Sequence, residues 1–339
     1  MRHPEIRPLD ASDEVALKEW HATYLLADTT GRAHPTPWML PEMRADFRGQ
    51  RTGDKVLPFG GYVDDQVVSC GIVELHLLEN LKVASVFVWA HPDHRRRGHG
   101  SAMLEHLTRT AREAGRTTLS AEAAVPLTGP ADGAGHPHAD FLTGHGFRFD
   151  IGDVVRVLDL PPDEPRVRRL AEEAAPYHEG YTLRHFRGPV PEDILVPFGD
   201  LAGSLMSQAP SGELGRDVEV LDEERIRADE RVLAASGRTK YTTVAVAADG
   251  DVVAYSELVV PQHDPEHVYQ WGTLVQPEHR GHRLGMATKV HNLLWMHEQE
   301  PGRTSVVTWN AEVNSLMIGV NESLGFRPVE RIAEFHKVL

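Results

Sequence analysis

This sequence predicts two similar α/β domains in tandem, and three observations point that way. Short motifs recur: HPDHR at 91 to 95 returns as QPEHR at 276 to 280, and GHGFRFD at 144 to 150 returns as SLGFRPV at 323 to 329. The same succession of strand-like and helix-like segments surrounds each copy. A proline-rich stretch, LDLPPDEPRVRRL at 158 to 170, separates them. IRPLDASD at 5 to 12 has a weaker partner in TLRHFRGP at 182 to 189. A period the size of a domain indicates duplication and not a solenoid. The expected division is one domain over 1–160, a linker over 161–180, where prolines oppose helix and sheet, and a second domain over 181–339.

Each half is read in order from its apolar periodicity. Residues 12 to 50 form helices and loops. GGYVDDQVVSCGIVEL is a hairpin with its turn at the two aspartates, and VASVFVWA is a buried strand. SAMLEHLTRTAREAG has helical spacing through Met103, Leu104, Leu107 and Ala111, with Gly115 as its stop. TTLSAEA is a strand, HADFLTGHGF a short helix ending at glycine, and DVVRVLDL the final strand of its half. The second half repeats the plan with helices to about 236 and the hairpin YTTVAVAADGDVVAYSELVV. Strand VYQWGTLV, helix MATKVHNLLWMHEQ, strand TSVVTW, helix NSLMIGVNESLGF and final strand VERIAEFHKV complete it.

Composition narrows the function. The chain has 339 residues, 41% of them apolar, with 50 acids against 35 bases and a net charge of −15. So acidic a surface does not suit nucleic acid, and no apolar span is long enough for a membrane helix. No signal peptide is visible. The expectation is a cytoplasmic protein with neither a nucleic-acid nor a membrane partner. The single cysteine, Cys70, rules out an internal disulfide and any multi-cysteine zinc site. Set in the strand-like VVSCGIVEL, it reads as a buried thiol.

Chemistry concentrates where a strand, a basic turn and a helix follow one another, in WAHPDHRRRGHGSAMLEHL. A helix N-terminus offers unpaired N–H groups and the positive end of the dipole. Glycine lets the backbone approach a phosphate closely, and arginine adds forked donors. Residues 91 to 101 therefore suit a pyrophosphate. The spacing is neither the dinucleotide GxGxxG nor the GxxxxGK[ST] of a P-loop.

Arg95-Arg96-Arg97-Gly98-His99-Gly100 resembles the R-x-x-G-x-G/A pyrophosphate motif of the GNAT (GCN5-related) N-acetyltransferase superfamily. Its setting after a strand and x-P-x-x-R is present as WAHPDHR. The family's later helix ending in Gly-Phe is present as Gly146-Phe147. The second half matches as TLVQPEHRGHRLG with Gly325-Phe326. The resemblance covers nearly the whole chain. It implies two mixed, splayed sheets flanked by helices, with acetyl-CoA or another acyl-CoA wedged between parting strands. Pantetheine would add to the strand edge at Val88 and Ala90, and at Thr273 and Val275. The pyrophosphate would lie on Arg95, Arg96, Arg97, Gly98, His99, Gly100 and Ser101, and on Arg280, Gly281, Arg283, Gly285 and the residues to Met286. Arg283 stands where the family has its first glycine, and either crowds the phosphate or bonds to it. The family's thiolate-protonating tyrosine is Leu142 in one half and Asn321 in the other. The family carries no metal, and the HxH at His136 and His138 lacks a third zinc ligand. It reads, like His263 and His267, as solvated loop.

Acyl transfer to an amine needs a deprotonated nucleophile, alignment and an oxyanion donor. The family implies direct attack in a ternary complex, with a carboxylate base near the central strands. Glu74 in GIVELH and Glu257 in YSELVV hold matching hairpin places, and a carboxylate in an apolar run has a raised pKa. Asn314 is either a helix cap or a contact to the cofactor arm. The glycine-rich loop 128 to 138 is either a substrate cover or an insertion. The leading expectation is N-acyl transfer from acyl-CoA to a small-molecule amine, with one productive CoA site per chain, in the first half. The competing readings are transfer from the phosphopantetheine arm of an acyl carrier protein, and a non-catalytic acyl-CoA-binding protein.

Overall fold

In the computed structural model, residues 3–49 and 51–339 are described. The elements in chain order are β1 (Glu5–Pro8), α1 (Glu14–Thr29), α2 (Leu40–Arg48), β2 (Asp54–Val63), β3 (Gln66–His76), β4 (Val83–Ala90), α3 (His99–Glu113), β5 (Thr118–Val125) and α4 (Pro137–Gly144). Then come β6 (Arg148–Asp159), α5 (Glu164–Ala174), β7 (Thr182–Arg187), α6 (Leu195–Gly203), α7 (Leu205–Gln208), α8 (Glu223–Ala235), β8 (Arg238–Val246) and β9 (Val252–Pro261). The chain ends with β10 (His267–Val275), α9 (Leu284–Gln299), β11 (Ser305–Ala311), α10 (Ser315–Leu324) and β12 (Arg327–Val338).

Two compact units result. One runs to Gly152 and takes in Glu330–Leu339; the other is Asp153–Val329. The first unit orders its strands β1-β2-β3-β4-β5-β12, the second β6-β11-β10-β9-β8-β7. Within each unit every neighbouring pair is antiparallel except one, β4 with β5 in the first and β10 with β11 in the second.

Local rules account for most elements. Asp13 caps α1 by accepting from the amides of Val15 and Ala16. The β2–β3 turn is Asp64-Asp65, both with positive φ, 48° and 62°, the geometry of a tight two-residue hairpin. Helix α3 buries Met103, Leu104, Leu107 and Ala111, the stripe expected from its periodicity. Gly71 on β3 lies directly under it: a Cβ there would come within 2.6 Å of the Met103 sulfur. In the first unit α3 and α4 cover one sheet face, and α1 with α2 the other. In the second, α5, α9 and α10 cover one face, and α6 with α8 the other. Each fully buried Leu, Val or Met in these layers is worth about 1.5–3 kcal/mol.

Two features differ from the sequence expectation. DVVRVLDL does not close the first unit: its Asp153–Asp159 pairs with β11. The first unit's final strand comes instead from the C-terminal segment, which pairs with β5 from Arg331↔Val125 to Val338↔Thr118. Ala333 and Phe335 thereby fill the α3–α4 core, and Leu158 fills the α5–α9 core. The C-terminal strand alternates Ala333 and Phe335 with Glu334 and His336, whereas 153–159 carries the runs Val154-Val155 and Val157-Leu158, and neither pattern names the sheet its strand joins. The proline-rich stretch is also more than a linker. After Asp163 caps it, α5 takes a proline into its first turn, where no amide is lost. It buries Val167 against the α9 core.

Candidate acyl-CoA clefts and their surroundings

The parallel strand pairs part early. β4 and β5 are paired only from Val83↔Thr118 to Ser85↔Ser120, while β4 stays on β3 through Ser69↔Ala90. The edge of β4 from Val86 onward therefore faces a gap. The His91 N–H bonds back to Val68 O. Strand alternation then turns Val88 and Ala90 toward the gap. β10 and β11 part likewise after Gln270↔Thr308. Gln276 N–H bonds to Val253 O, so Thr273 and Val275 face the second gap. β10 alone carries a register irregularity, between Gln270 and Thr273, at its vertex.

Each β4-like strand ends in a one-turn 3-10 helix, Pro92–His94 or Pro277–His279, and a turn with two left-handed residues. These are Arg96 (φ 61°) and Gly98 (φ 85°) in the first unit, Gly281 (φ 87°) and Arg283 (φ 50°) in the second. The backbone path is thus retained while glycine changes place. Arg283 holds a conformation that costs a side-chain-bearing residue about 1–2 kcal/mol. The first intrahelical bonds are Ala102 N–H to Gly98 O and Ala287 N–H to Arg283 O. Ahead of them lie the amides of His99, Gly100 and Ser101, and of Leu284, Gly285 and Met286, at the positive end of each helix.

Side chains distinguish the two turns. In the first, Arg96 and Arg97 are exposed and make no hydrogen bond or ion pair among the described residues. Arg95 folds back instead, donating to Ala90 O (3.2 Å) and Ala27 O (3.0 Å). It fastens the end of α1 to the strand and occupies one of the carbonyls expected for pantetheine. His99 is buried with no partner for Nδ1. Burial, with His94 and Arg97 nearby, lowers its pKa. Gly100 leaves clearance under Phe141, whose ring would lie 3.5 Å from a Cβ. Ser101 Oγ meets His145 Nε2 at 3.0 Å.

The second turn is held by its own unit. Arg283 donates to Glu173 O at 3.0 Å, and its guanidinium lies 4.2 Å from the centre of the Tyr177 ring. His282 Nδ1 is 3.0 Å from Tyr177 O, Tyr181 Oη 2.9 Å from His279 Nδ1, and Arg280 donates to Gln208 at 2.8 Å. Residues 173–181 thus strap the turn. Gly285 needs no special conformation there.

The carboxylates also diverge. Glu74 on β3 pairs with Ser85, the last residue of β4 bonded to β5, so it stands one strand from the vertex of the gap. Burial pushes its pKa up to about 7, and Asp46 and Asp54 add to the rise. Glu257 is two pairing places away from the equivalent position: it follows Ser256↔Thr273 directly, whereas Glu74 lies three places past Gly71↔Val88. It accepts from Lys240 Nζ at 2.7 Å, and both side chains are largely buried. Glu257→Gln should cost about 1–3 kcal/mol by leaving the ammonium short of its partner. A lowered urea midpoint with CoA affinity unchanged is the expected result.

Asn314 is the cap of α10, accepting from Met317 N–H at 3.2 Å. At the tyrosine positions, Leu142 lies in the α3–α4 core, and buried Asn321 donates to Asn310 Oδ1 at 3.1 Å. Asn310 in turn accepts from Arg156 at 3.0 Å. His267 is not simply solvated: it meets Asp264 at 2.9 Å, which raises the histidine pKa and lowers that of Asp264 to about 2. Sequence reasoning missed the chain Asp28–Arg32–Glu330. Arg32 reaches Glu330 at 2.6 Å and Asp28 at 3.0 Å, and Trp89 Nε1 donates to Asp28 at 3.3 Å. Its members stand 298 positions apart, beyond any local pattern. No trio of His, Cys, Asp or Glu among the described residues could hold a metal, and no helix among them is long and apolar enough to cross a membrane.

Comparison with known proteins bears on the fold and on the family of the first unit. Residues 19–130 match the acetyltransferase (GNAT) family. None of the curated proteins matches the sequence. Among solved structures, a tandem GNAT protein from the clavulanic acid biosynthesis pathway is 28% identical, covering 99% of this chain and 98% of its own, with a TM-score of 0.79. A GCN5-related N-acetyltransferase from Sphaerobacter thermophilus is 16% identical over 99% of this chain and 95% of its own, with a TM-score of 0.63. A putative acetyltransferase from Pyrococcus horikoshii is 13% identical over 100% of this chain and 90% of its own, with a TM-score of 0.58. These last two are likenesses of fold. Residues 19–130 thus match the GNAT acetyltransferase family, and the chain over nearly its whole length is similar to a tandem GNAT protein of known structure.

Proposed function

We propose that the chain moves an acetyl or other acyl group from acyl-CoA to the amine of a small molecule, by direct attack in a ternary complex, in the cleft of its first unit. The observation that carries this is the contrast between the turns. The first presents open helix amides with uncommitted Arg96 and Arg97 beside a free strand edge. The second has Arg280, His282 and Arg283 all engaged by their own unit. On this reading the amides of Gly98 to Ser101 and the two arginines hold the pyrophosphate, Val88 and the Ala90 amide align pantetheine, and Glu74 takes a proton from the acceptor amine. The likeness to a protein of clavulanic acid biosynthesis favours a biosynthetic intermediate as acceptor. Calorimetry with CoA on the full chain tests the reading. One site per chain, undisturbed by Arg283→Glu, is expected. Two equal sites, or a single site lost in that variant, would overturn it.

A second reading applies to the second unit. Its strand edge at Thr273 and Val275 is as open as the first while its basic turn is strapped. This suits the arm of an acyl carrier protein, which needs the edge and not a pyrophosphate site.

A further inference from the structure

We propose that Ser101 is a nucleophile, activated by His145, that takes the acyl group of a small acyl phosphate. Direct attack of an amine on acyl-CoA makes no use of this hydroxyl.

The geometry fixes the direction of each hydrogen bond in the pair. His145 Nδ1 lies 2.7 Å from Phe141 O. A carbonyl can only accept, so Nδ1 carries the hydrogen and Nε2 the lone pair. Ser101 Oγ stands 3.0 Å from that Nε2, and its hydroxyl therefore donates to the imidazole. A hydroxyl beside a base that is itself turned by a third group is the arrangement that makes a weak alcohol a nucleophile. Packing holds the base in place. Its ring centre lies 4.5 Å from that of Phe141, and Lys337 Nζ donates to His145 O at 2.7 Å, tying down the end of α4. Ser101 and His145 are both only partly covered, so a ligand can reach them.

The surroundings select an anionic electrophile. Ser101 is the third residue of α3, and the first intrahelical bond is Ala102 N–H to Gly98 O. The amides of His99, Gly100 and Ser101 therefore lie at the positive end of the helix, as donors for an oxyanion or for phosphate oxygens. Arg96 and Arg97 precede them in the same turn, exposed and without a hydrogen bond or ion pair among the described residues. A Cβ at Gly98 would have nothing within 4 Å, so the turn is open. A phosphate leaving group gains from this charge, and a neutral ester does not. Acyl-CoA on the same turn would cover the hydroxyl, so the two uses exclude each other.

Atoms and protons balance in two steps. Oγ bonds to the acyl carbon while its proton passes to Nε2. The bond from the acyl carbon to the phosphate oxygen breaks with its electron pair going to phosphate, which receives the proton from the imidazolium. Water then gives a proton to Nε2 as its oxygen bonds to the acyl carbon. The ester bond to Oγ breaks, and the proton returns to Oγ. The products are inorganic phosphate, a carboxylic acid and the native serine.

The test treats the full chain with acetyl phosphate and maps its peptides by mass spectrometry. An acetyl group should appear on Ser101 ahead of other hydroxyls. Hydroxylamine, which cleaves esters and leaves lysine amides, should remove it. His145→Asn keeps an N–H for Phe141 O and has no group at the Nε2 position, so it should slow acetylation of Ser101 about 10²-fold or more. Arg96→Gln combined with Arg97→Gln should slow the reaction with acetyl phosphate about tenfold and leave that with neutral p-nitrophenyl acetate unchanged, which also shows that the variant is folded. The nucleophile would be overturned by the native rate in His145→Asn. It would equally be overturned by an unmodified Ser101 together with phosphate release no faster than from Ser101→Ala. An unchanged rate with acetyl phosphate in the double arginine variant would overturn the acyl phosphate as substrate.

Discussion

Gly98→Asp should abolish measurable CoA binding by the chain, a loss of at least about 100-fold in affinity. Two effects combine. Gly98 sits at φ 85° as the residue before α3, where an aspartate pays about 1–2 kcal/mol of backbone strain. The larger effect is electrostatic. Nothing lies within 4 Å of the place its Cβ would take, so the carboxylate stands in the open turn where the helix amides and Arg96 would meet a phosphate. Like charges there, close to a low-dielectric wall, cost several kcal/mol. Isothermal calorimetry reads the loss. Thermal unfolding in the absence of ligand separates it from misfolding, because the position is exposed and the apo melting point should fall by only a few degrees. Binding within threefold of the native chain would show that the first turn does not carry the pyrophosphate.

Glu74→Gln should lower kcat/KM about 10²–10⁴-fold, the usual contribution of a general base, and should change its dependence on pH. The native carboxyl ionises near pH 7 because it is buried and faces Asp46 and Asp54. Only the ionised form accepts a proton, so kcat/KM should rise through pH 7 to a plateau, and the limb set by this group should vanish in the variant. Stability runs the other way. A carboxyl whose folded pKa lies above its unfolded value binds more protons folded than unfolded, so its stabilisation is complete at low pH and is lost as pH rises through 7. Glu74→Gln should remove that decline, making the variant relatively more stable at pH 8 than at pH 5. A loss of activity that is the same at every pH from 6 to 9 would show that Glu74 does not titrate in the rate-determining path.

Glu74 and Glu257 show how much of the site was legible. Both were found from a carboxylate set in an apolar run, and both indeed lie one strand from a gap. Which of them is paired was not legible, because Lys240 reaches Glu257 across the sheet and no spacing rule connects them. The turns repeat the lesson. Arg95 reads as a phosphate ligand in its motif, yet its guanidinium is taken by Ala27 and Ala90. His138 belongs to a pair that reads as solvated loop, yet it lies in the first turn of α4, where burial lowers its pKa to about 4.

Local sequence was enough for most elements, the repeated motifs and the turns, while the early parting of the strands was only what the family resemblance implied. Periodicity, caps and left-handed positions act over a few residues, and each carries its own signature. Gly98 and Gly281 mark turns whose backbone the two units share, even though glycine sits at a different position in each. Tertiary structure alone decided which strand completes which sheet. Asp153–Asp159 joins β11, and the C-terminal strand joins β5. The pattern of either strand does not name the edge it joins, so the choice rests on the cores that Phe335 and Leu158 fill. The strap on the second turn was likewise invisible, since Arg283 finds its partner 110 positions away. A side chain's reach is set by packing in space, and contacts at that separation leave no periodic trace along the chain.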